Sequence, residues 1–335
     1  MKKVFISPSA TYKNQFSNPY FKRLFDGLSP FCEVLDTADY RPRRAQSLTL
    51  FLYSFKGDVF LLSFVEGVAF HKFPLIQTFF ALMALRIIRL RRRTIVFFYH
   101  NTVAHRGDNW MCRMLFRKLF SHADYVVAHS ENTALIAADK VGKDRVILFP
   151  HPTEPLSIAA PAEEKADVFI WGTILPYKGI YEFLSSPIVQ NSDLRIIVIG
   201  SCPDPILAQK VHSQTNEHIH FEQRHIEEVE LAARISASRF VLFPYFAKSI
   251  SGSAALMETL KFGGNVVGPD AGAFHDLSKE NLCKVFHDMA DLMDILTSKW
   301  RVDQEELGHY LNGHVWPEYI RTLRERIPEL DDHSA

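Results

Sequence analysis

The chain has 335 residues, more than a single hydrophobic core usually spans, and 47% of them are hydrophobic, an ordinary content for a globular protein, so two domains are the expectation. Its formal net charge of zero conceals 22 basic against 11 acidic residues through Pro152 and 16 against 27 from Thr153 onward, so the halves carry +11 and −11. Four cysteines, far apart and without a C-x-x-C spacing, speak against a zinc site or a disulfide framework and fit a reducing cytosol.

Taken in chain order, Met1 to Ser7 carries two lysines and then only a short apolar run, which reads as a first strand and not as a signal peptide. Asn18-Pro19-Tyr20 opens an amphipathic helix over residues 21–28. Further strands are expected at 59–63, 94–99 and 125–129, each short and rich in β-branched and aromatic residues. The segment 73–93 holds an apolar run over 79–85 followed by Arg86, Arg89, Arg91, Arg92 and Arg93, and it is too short to cross a bilayer. Arg86, Arg89 and Arg93, at i, i+3 and i+7, would share one helix face and suit a helix lying against anionic headgroups. The alternative is a buried domain helix whose terminal arginines complement its dipole and face solvent.

Residues 151–166 combine three prolines with no apolar period and read as an interdomain linker, with the boundary near Thr153. The expected organisation is an N-terminal domain over 1–152, a linker over 153–166, a C-terminal domain over 167–314 and a last helix over 315–330. Strands recur in the second half at 168–171, 194–200, 219–221, 240–244 and 265–268. Their alternation with helical stretches predicts an α/β fold of parallel sheets covered by helices. Ligands of such sheets lie beyond the carboxyl ends of the strands, so polar residues there are the candidates for function.

One candidate is the run from Phe169 through Gly172, Thr173 and Lys178 to Gly179, an apolar strand and a glycine turn before a helix. Amides aimed outward from such a turn, with the lysine as a fixed point charge, would suit a diphosphate, although an exposed lysine without a ligand is the commoner outcome for a lone Lys-Gly. A second is Ser251-Gly252-Ser253, which opens a helix carrying Glu258, where phosphate oxygens could approach the amides and the carboxylate could meet ribose hydroxyls.

The blocks W-G-T-I-L-P-Y-K-G and, about 70 residues later, S-G-S-A-A-L-M-E-T-L-K-F-G-G-N-V-V-G resemble the donor half of retaining GT-B glycosyltransferases of the E-x7-E group. The resemblance implies two Rossmann-like doubly wound parallel-sheet domains facing across a cleft. It implies that Lys178 binds the donor diphosphate, Glu258 the nucleotide ribose, and the amides of Ser251, Gly252 and Ser253 the distal phosphate and sugar. The arginine of the family pattern falls on Thr173, and the first glutamate of E-x7-E on Ile250.

His100-Asn101-Thr102-Val103-Ala104-His105, delivered straight off a buried strand, is similar to the H-N-x-x-P-H element of bacterial polysaccharide glycosyltransferases. There His100 would approach the donor sugar, help orient the acceptor and relay a proton, with His105 beside it. Asn18, Tyr20 and Glu66 fall where such enzymes meet the acceptor, and a glutamate on the loop beyond a buried strand is hard to explain by packing alone. Arg224 falls where relatives pinch the nucleobase, though an ordinary loop residue is an equal reading. Trp316-Pro317-Glu318-Tyr319 resembles the C-terminal segment that crosses back onto the N-terminal domain.

The resemblance thus implies sugar transfer from a nucleotide diphospho-sugar to a carbohydrate or lipid-linked acceptor in bacterial surface polysaccharide synthesis, on the cytoplasmic face of the membrane. Neither a cofactor nor a catalytic metal is expected, because no H-E-x-x-H, D-x-D or Cys/His cluster with metal spacing occurs. The basic half lacks the patterns that favour nucleic acid, so an anionic membrane surface is its expected partner, with a phosphorylated acceptor or a chance asymmetry without a partner as the alternatives. A nucleotide-sugar epimerase or phosphorylase on the same fold, and a non-catalytic membrane-binding or partner-binding subunit, remain alternatives.

Overall fold

A computed structural model describes residues 1–8, 19–35, 46–100, 109–163, 165–245 and 252–331. The chain divides into two compact units, one formed by Met1–Pro150 with Trp316–Ala335 and the other by His151–Val315.

Each unit is built on a six-stranded parallel sheet. The first comprises β1 (Lys3–Ser7), β2 (Glu33–Val34), β3 (Val59–Leu62), β4 (Thr94–Tyr99), β5 (Tyr125–Ala128) and β6 (Val146–Leu148), in the order β2-β1-β3-β4-β5-β6. The second comprises β7 (Ala166–Trp171), β8 (Ile196–Ile199), β9 (Ile219–Glu222), β10 (Ser238–Leu242), β11 (Val266–Pro269) and β12 (Cys283–Phe286), in the order β12-β11-β10-β7-β8-β9. Every residue of β3, β4 and β8 is buried, because helices cover both faces of each sheet. β2, β6 and β12 go beyond the expected strands. All three lie at sheet edges; β2 and β12 offer no continuous apolar run to read, whereas Val146–Leu148 is such a run and the expectation leaves it out.

The helices among the described residues of the first unit are α1 (Pro19–Leu28), α2 (Gln46–Tyr53), α3 (Pro74–Leu90), α4 (Trp110–His122) and α5 (Glu131–Val141). The second unit holds α6 (Ile180–Leu184), α7 (Pro187–Gln190), α8 (Pro205–His212), α9 (Glu228–Ala237), α10 (Ala254–Lys261), α11 (Gly272–Lys279), α12 (Met289–Thr297) and α13 (Gln304–Gly313). The last helix, α14 (Trp316–Arg326), belongs to the first unit, where Trp316, Tyr319, Ile320 and Leu323 share a core with Tyr20, Phe21, Leu24 and Leu28 of α1. The two helices approach so closely that a Cβ on Gly27 would lie 2.7 Å from Cγ1 of Ile320.

The arginine face expected along residues 86–93 does not form. α3 ends at Leu90, and Arg92 turns the chain with φ 54°, so Arg93 leaves the helix and pairs with Asp58 at 3.1 Å. Arg89 pairs with Asp124 at 2.7 Å, and Arg91 donates to the carbonyl of Ser54 at 2.6 Å. These arginines fasten strand-connecting loops, and their partners are far away in sequence. Among the described residues no helix is long and apolar enough to cross a membrane.

The stretch 151–163 is fastened along the second unit. Thr153, Ser157 and Ala162 donate their amides to the carbonyls of His314, Lys261 and Ala233. Thr153 also bridges Val315, so the two passages of the chain between the units lie side by side.

Candidate functional site

In the second sheet the strand order runs β7-β8-β9 to one side and β10-β11-β12 to the other, so β7 and β10 flank the point where the winding reverses. Residues following these two strands meet there, as open parallel sheets dictate. After β7, Gly172 adopts φ +94° and lies so close to the end of β8 that a Cβ on Gly200 would stand 2.1 Å from its carbonyl oxygen. A short turn, Pro176–Lys178, and Gly179 at φ +65° then curl the chain back.

That curl tucks Lys178 inward until 8% of it remains exposed. Its Nζ sits 5.5 Å from the ring centre of Tyr245, which follows β10. Burial lowers the Lys178 pKa to about 8, and among the described residues no carboxylate pairs with it. A buried, uncompensated ammonium is costly unless something anionic joins it. Tyr245 in turn shares a hydrogen bond with the side chain of Ser253, and burial, with Tyr177 beside it, raises its phenol so that it stays protonated. Ser253 caps α10 by accepting from the amide of Leu256 at 3.2 Å. Lys178, Tyr245 and the capped end of α10 are therefore one constellation.

The phosphate cradle expected of the 172–179 loop needs correction. The amides of Gly172, Ile174, Lys178 and Gly179 are already spent on the carbonyls of Ile199, Ser201, Leu175 and Pro176, so this loop contributes charge more than amides. α10 begins at Ala254, which puts Glu258 one turn inside it, and the first amides of α10 beyond the one that Ser253 satisfies lack intrahelical partners. Gly252 is half-buried beside Ser253 and Thr173 is exposed, while Ser251 lies outside the described residues. Glu258 accepts from Lys261 at 2.9 Å, and Lys261 also donates to Glu228 at 2.6 Å. Arg224 is held by Glu222 and Glu230 in a partly exposed ion network.

Tyr245 was not singled out by sequence. An aromatic residue following a buried strand looks like core, and its position after β10 was the only signal.

In the first sheet the winding reverses between β1 and β3. Glu66 lies just beyond β3, in the 3-10 turn Val65–Phe70, and is 6% exposed. Burial raises its pKa to about 7, and its Oε2 has no hydrogen-bond partner among the described residues. Because the folded-state value lies above that of a free carboxyl, stability falls as pH rises from about 4.5 through 7 and then levels off. Glu66→Gln is expected to be more stable than the parent by roughly 2 kcal/mol at pH 8 and indistinguishable from it at pH 4. Denaturant unfolding at the two pH values checks this, and equal stabilities at pH 8 would contradict it.

His100 leaves β4 into an aromatic box. Its ring stacks on Phe64 at 4.9 Å and lies 5.4 Å from Tyr20 and 5.1 Å from His129. His129, kept neutral by burial with its pKa near 4, donates from Nδ1 to the carbonyl of Phe149 at 2.8 Å, which leaves Nε2 to accept from the Tyr20 hydroxyl at 3.3 Å. The Tyr20 and Tyr319 hydroxyls are 2.6 Å apart. Tyr20 is 5% exposed and faces inward, so here it pins α14 to α1. Asn18 and His105 lie outside the described residues.

No protein-family model and no curated protein matches the sequence. Solved structures do match over nearly the whole chain. HepE of Anabaena, in complex with UDP and glucose, has 14% identity and a TM-score of 0.61, with 97% of this chain and 95% of that chain covered. AviGT4, a glycosyltransferase involved in avilamycin A biosynthesis, has 15% identity and a TM-score of 0.61, with 98% of both chains covered. A glycosyltransferase from Rickettsia africae has 11% identity and a TM-score of 0.61, with 99% of both covered. The fold is GT-B. Its two Rossmann-like units are the two parallel sheets with their flanking helices, and the GT-B chain presents the Lys178 constellation on the second of them.

The depressed Lys178 pKa carries a proton signature. At pH 8.5 a good part of the ammonium is neutral in the free protein, and a bound diphosphate would restore its proton. If a nucleoside diphosphate binds at this ammonium, calorimetric titration in buffers of differing ionisation enthalpy should show proton uptake at pH 8.5 and no uptake at pH 6.5. Lys178→Arg, charged throughout, should bind without uptake. Equal uptake in parent and variant would remove Lys178 as its source.

Proposed function

We propose that the protein is a glycosyltransferase that takes its sugar from a nucleotide diphospho-sugar bound by the second unit and delivers it to a carbohydrate or lipid-linked acceptor bound by the first. The observation that carries this reading is the buried ammonium of Lys178, without a carboxylate partner among the described residues, beside the capped start of α10 at the winding reversal of the sheet. The GT-B fold adds support, since HepE is known in complex with UDP and with UDP-glucose.

In the reaction, the bond between the anomeric carbon and the diphosphate oxygen breaks as the bond to the acceptor oxygen forms. Negative charge grows on the departing diphosphate, and the acceptor hydroxyl loses its proton. Lys178 and the open amides of α10 stabilise the former, an electrostatic role that needs no metal. Ser251, Gly252 and Ser253 belong with those amides, and Glu258, freed from Lys261, would take the ribose. Thr173 and Arg224 are the remaining donor-side candidates. On the first unit His100, oriented by its aromatic box, is the group for the sugar and the proton, while Asn18, Glu66 and His105 meet the acceptor. A retaining outcome and a place in surface polysaccharide synthesis rest on the K-G and S-G-S blocks, and four free, buried cysteines suit a reducing cytoplasm.

Release of nucleoside diphosphate from a panel of nucleotide sugars, with and without acceptor, tests the reading. Release that depends on acceptor supports transfer. Absence of binding by every nucleoside diphosphate would leave a non-catalytic subunit.

A further inference from the structure

The outer surface of α2 and α3 is apolar where a globular protein is ordinarily charged. On α3, Leu75 is 64% exposed, Ile76 56%, Phe79 58% and Leu90 72%, while Ala81, Ala84, Leu85 and Ile88 on the other side are fully buried. Over residues 74–85 the helix thus carries no charged residue on either side, a pattern that requires a second environment for its outer side. Leu48 and Leu52 of α2 and Phe55 just beyond it are exposed as well. A chain of ring contacts makes the surface continuous, with Phe79 5.7 Å from Phe80, Phe80 5.3 Å from Phe51, and Phe51 5.6 Å from Phe55.

Among the described residues, the exposed charges carried by α2, α3 and the turns beside them are of one sign. Lys56, Lys72 and Arg86 are exposed on these elements and the turns beside them. The only acidic residues between positions 46 and 100 are Asp58, held by Arg93, and Glu66, which is buried. A second copy docked face to face would set these cations near their own kind. A layer that is hydrocarbon within and phosphate at its surface satisfies both the apolar face and its basic flanks.

We propose that the α2–α3 face seats the protein on an anionic phospholipid bilayer, with Leu75, Ile76, Phe79 and Phe55 below the headgroups and Lys56, Lys72 and Arg86 at phosphate level. This differs from a contact made by Arg89, Arg91 and Arg93, which are committed to internal partners. It stands independently of the sugar-transfer reading.

Flotation of the full chain with phosphatidylcholine vesicles, with and without phosphatidylglycerol, tests it. The parent should float with the anionic vesicles and lose part of that binding in high salt. Ile76→Ser with Phe79→Ser should lower vesicle affinity by at least about tenfold. Lys56→Gln, Lys72→Gln and Arg86→Gln together should reduce binding to the level on phosphatidylcholine alone. Unchanged melting temperatures show that both variants are folded. A parent that does not float, or an apolar variant that floats as well as the parent, overturns the proposal. A parent dimer in light scattering that the apolar variant converts to monomer also overturns it, because the face is then a subunit interface.

Discussion

Lys178→Met is expected to lower kcat/KM for sugar transfer by about two to three orders of magnitude and, in the same protein, to raise stability at pH 7. The loss follows from removing the buried cation that the proposed reaction sets against the departing diphosphate, an interaction comparable to a donor in an oxyanion hole. The gain follows because the folded protein holds an ammonium whose pKa burial has pushed down to about 8, so its charged form is disfavoured there. Methionine keeps the apolar stem and removes the charge. The stabilisation, on the order of 2 kcal/mol, should be full below pH 8 and fade as pH rises toward 10.5, where the unfolded chain also releases the proton. Kinetics with the preferred donor, together with melts at pH 7 and pH 10, measure both effects. Unchanged turnover refutes the diphosphate role, and lost stability at pH 7 refutes the uncompensated charge.

The second large effect is structural. Tyr319 is fully buried between α14 and the first sheet, against Phe149, His129 and Trp316, with its hydroxyl on that of Tyr20. Tyr319→Ala should destabilise the first unit by about 3–5 kcal/mol, because it leaves a ring-sized cavity and takes a hydrogen bond from a buried phenol. Tyr319→Phe should cost about 1–2 kcal/mol, since only the hydroxyl pair is broken. Hydrogen exchange resolved by segment is the suitable readout, as two units need not unfold in one step. Protection should fall across α1, β4 and β5 and hold in β7 and β8. A uniform loss, or none, would mean that α14 is not integral to the first core.

Much of this arrangement can be read without coordinates. The central strands announce themselves because burial on both faces demands unbroken runs such as those of β3 and β4. Edge strands such as β2 and β12, wetted on one side, carry no such mark. Lys178 is legible as a lysine placed after a strand and a glycine turn, but its burial is not, since that depends on Tyr245 arriving from β10, some 67 residues on. The arginines at and just beyond the end of α3 mislead for the same reason. Their spacing suggests a shared face, whereas Asp58 and Asp124, remote in sequence, decide where they point. Tyr20 reads as a surface contact until Tyr319, from the far end of the chain, closes over it.

That closure has a consequence for synthesis. The groove along α1 is made early on the ribosome, but the helix that fills it is translated only after the whole of the second unit. All of residues 151–315 will have emerged and can fold before the first unit receives its missing layer. Each new chain therefore passes through a stage in which its later half is finished while its earlier half still shows bare apolar side chains, and only the emergence of α14 ends that stage.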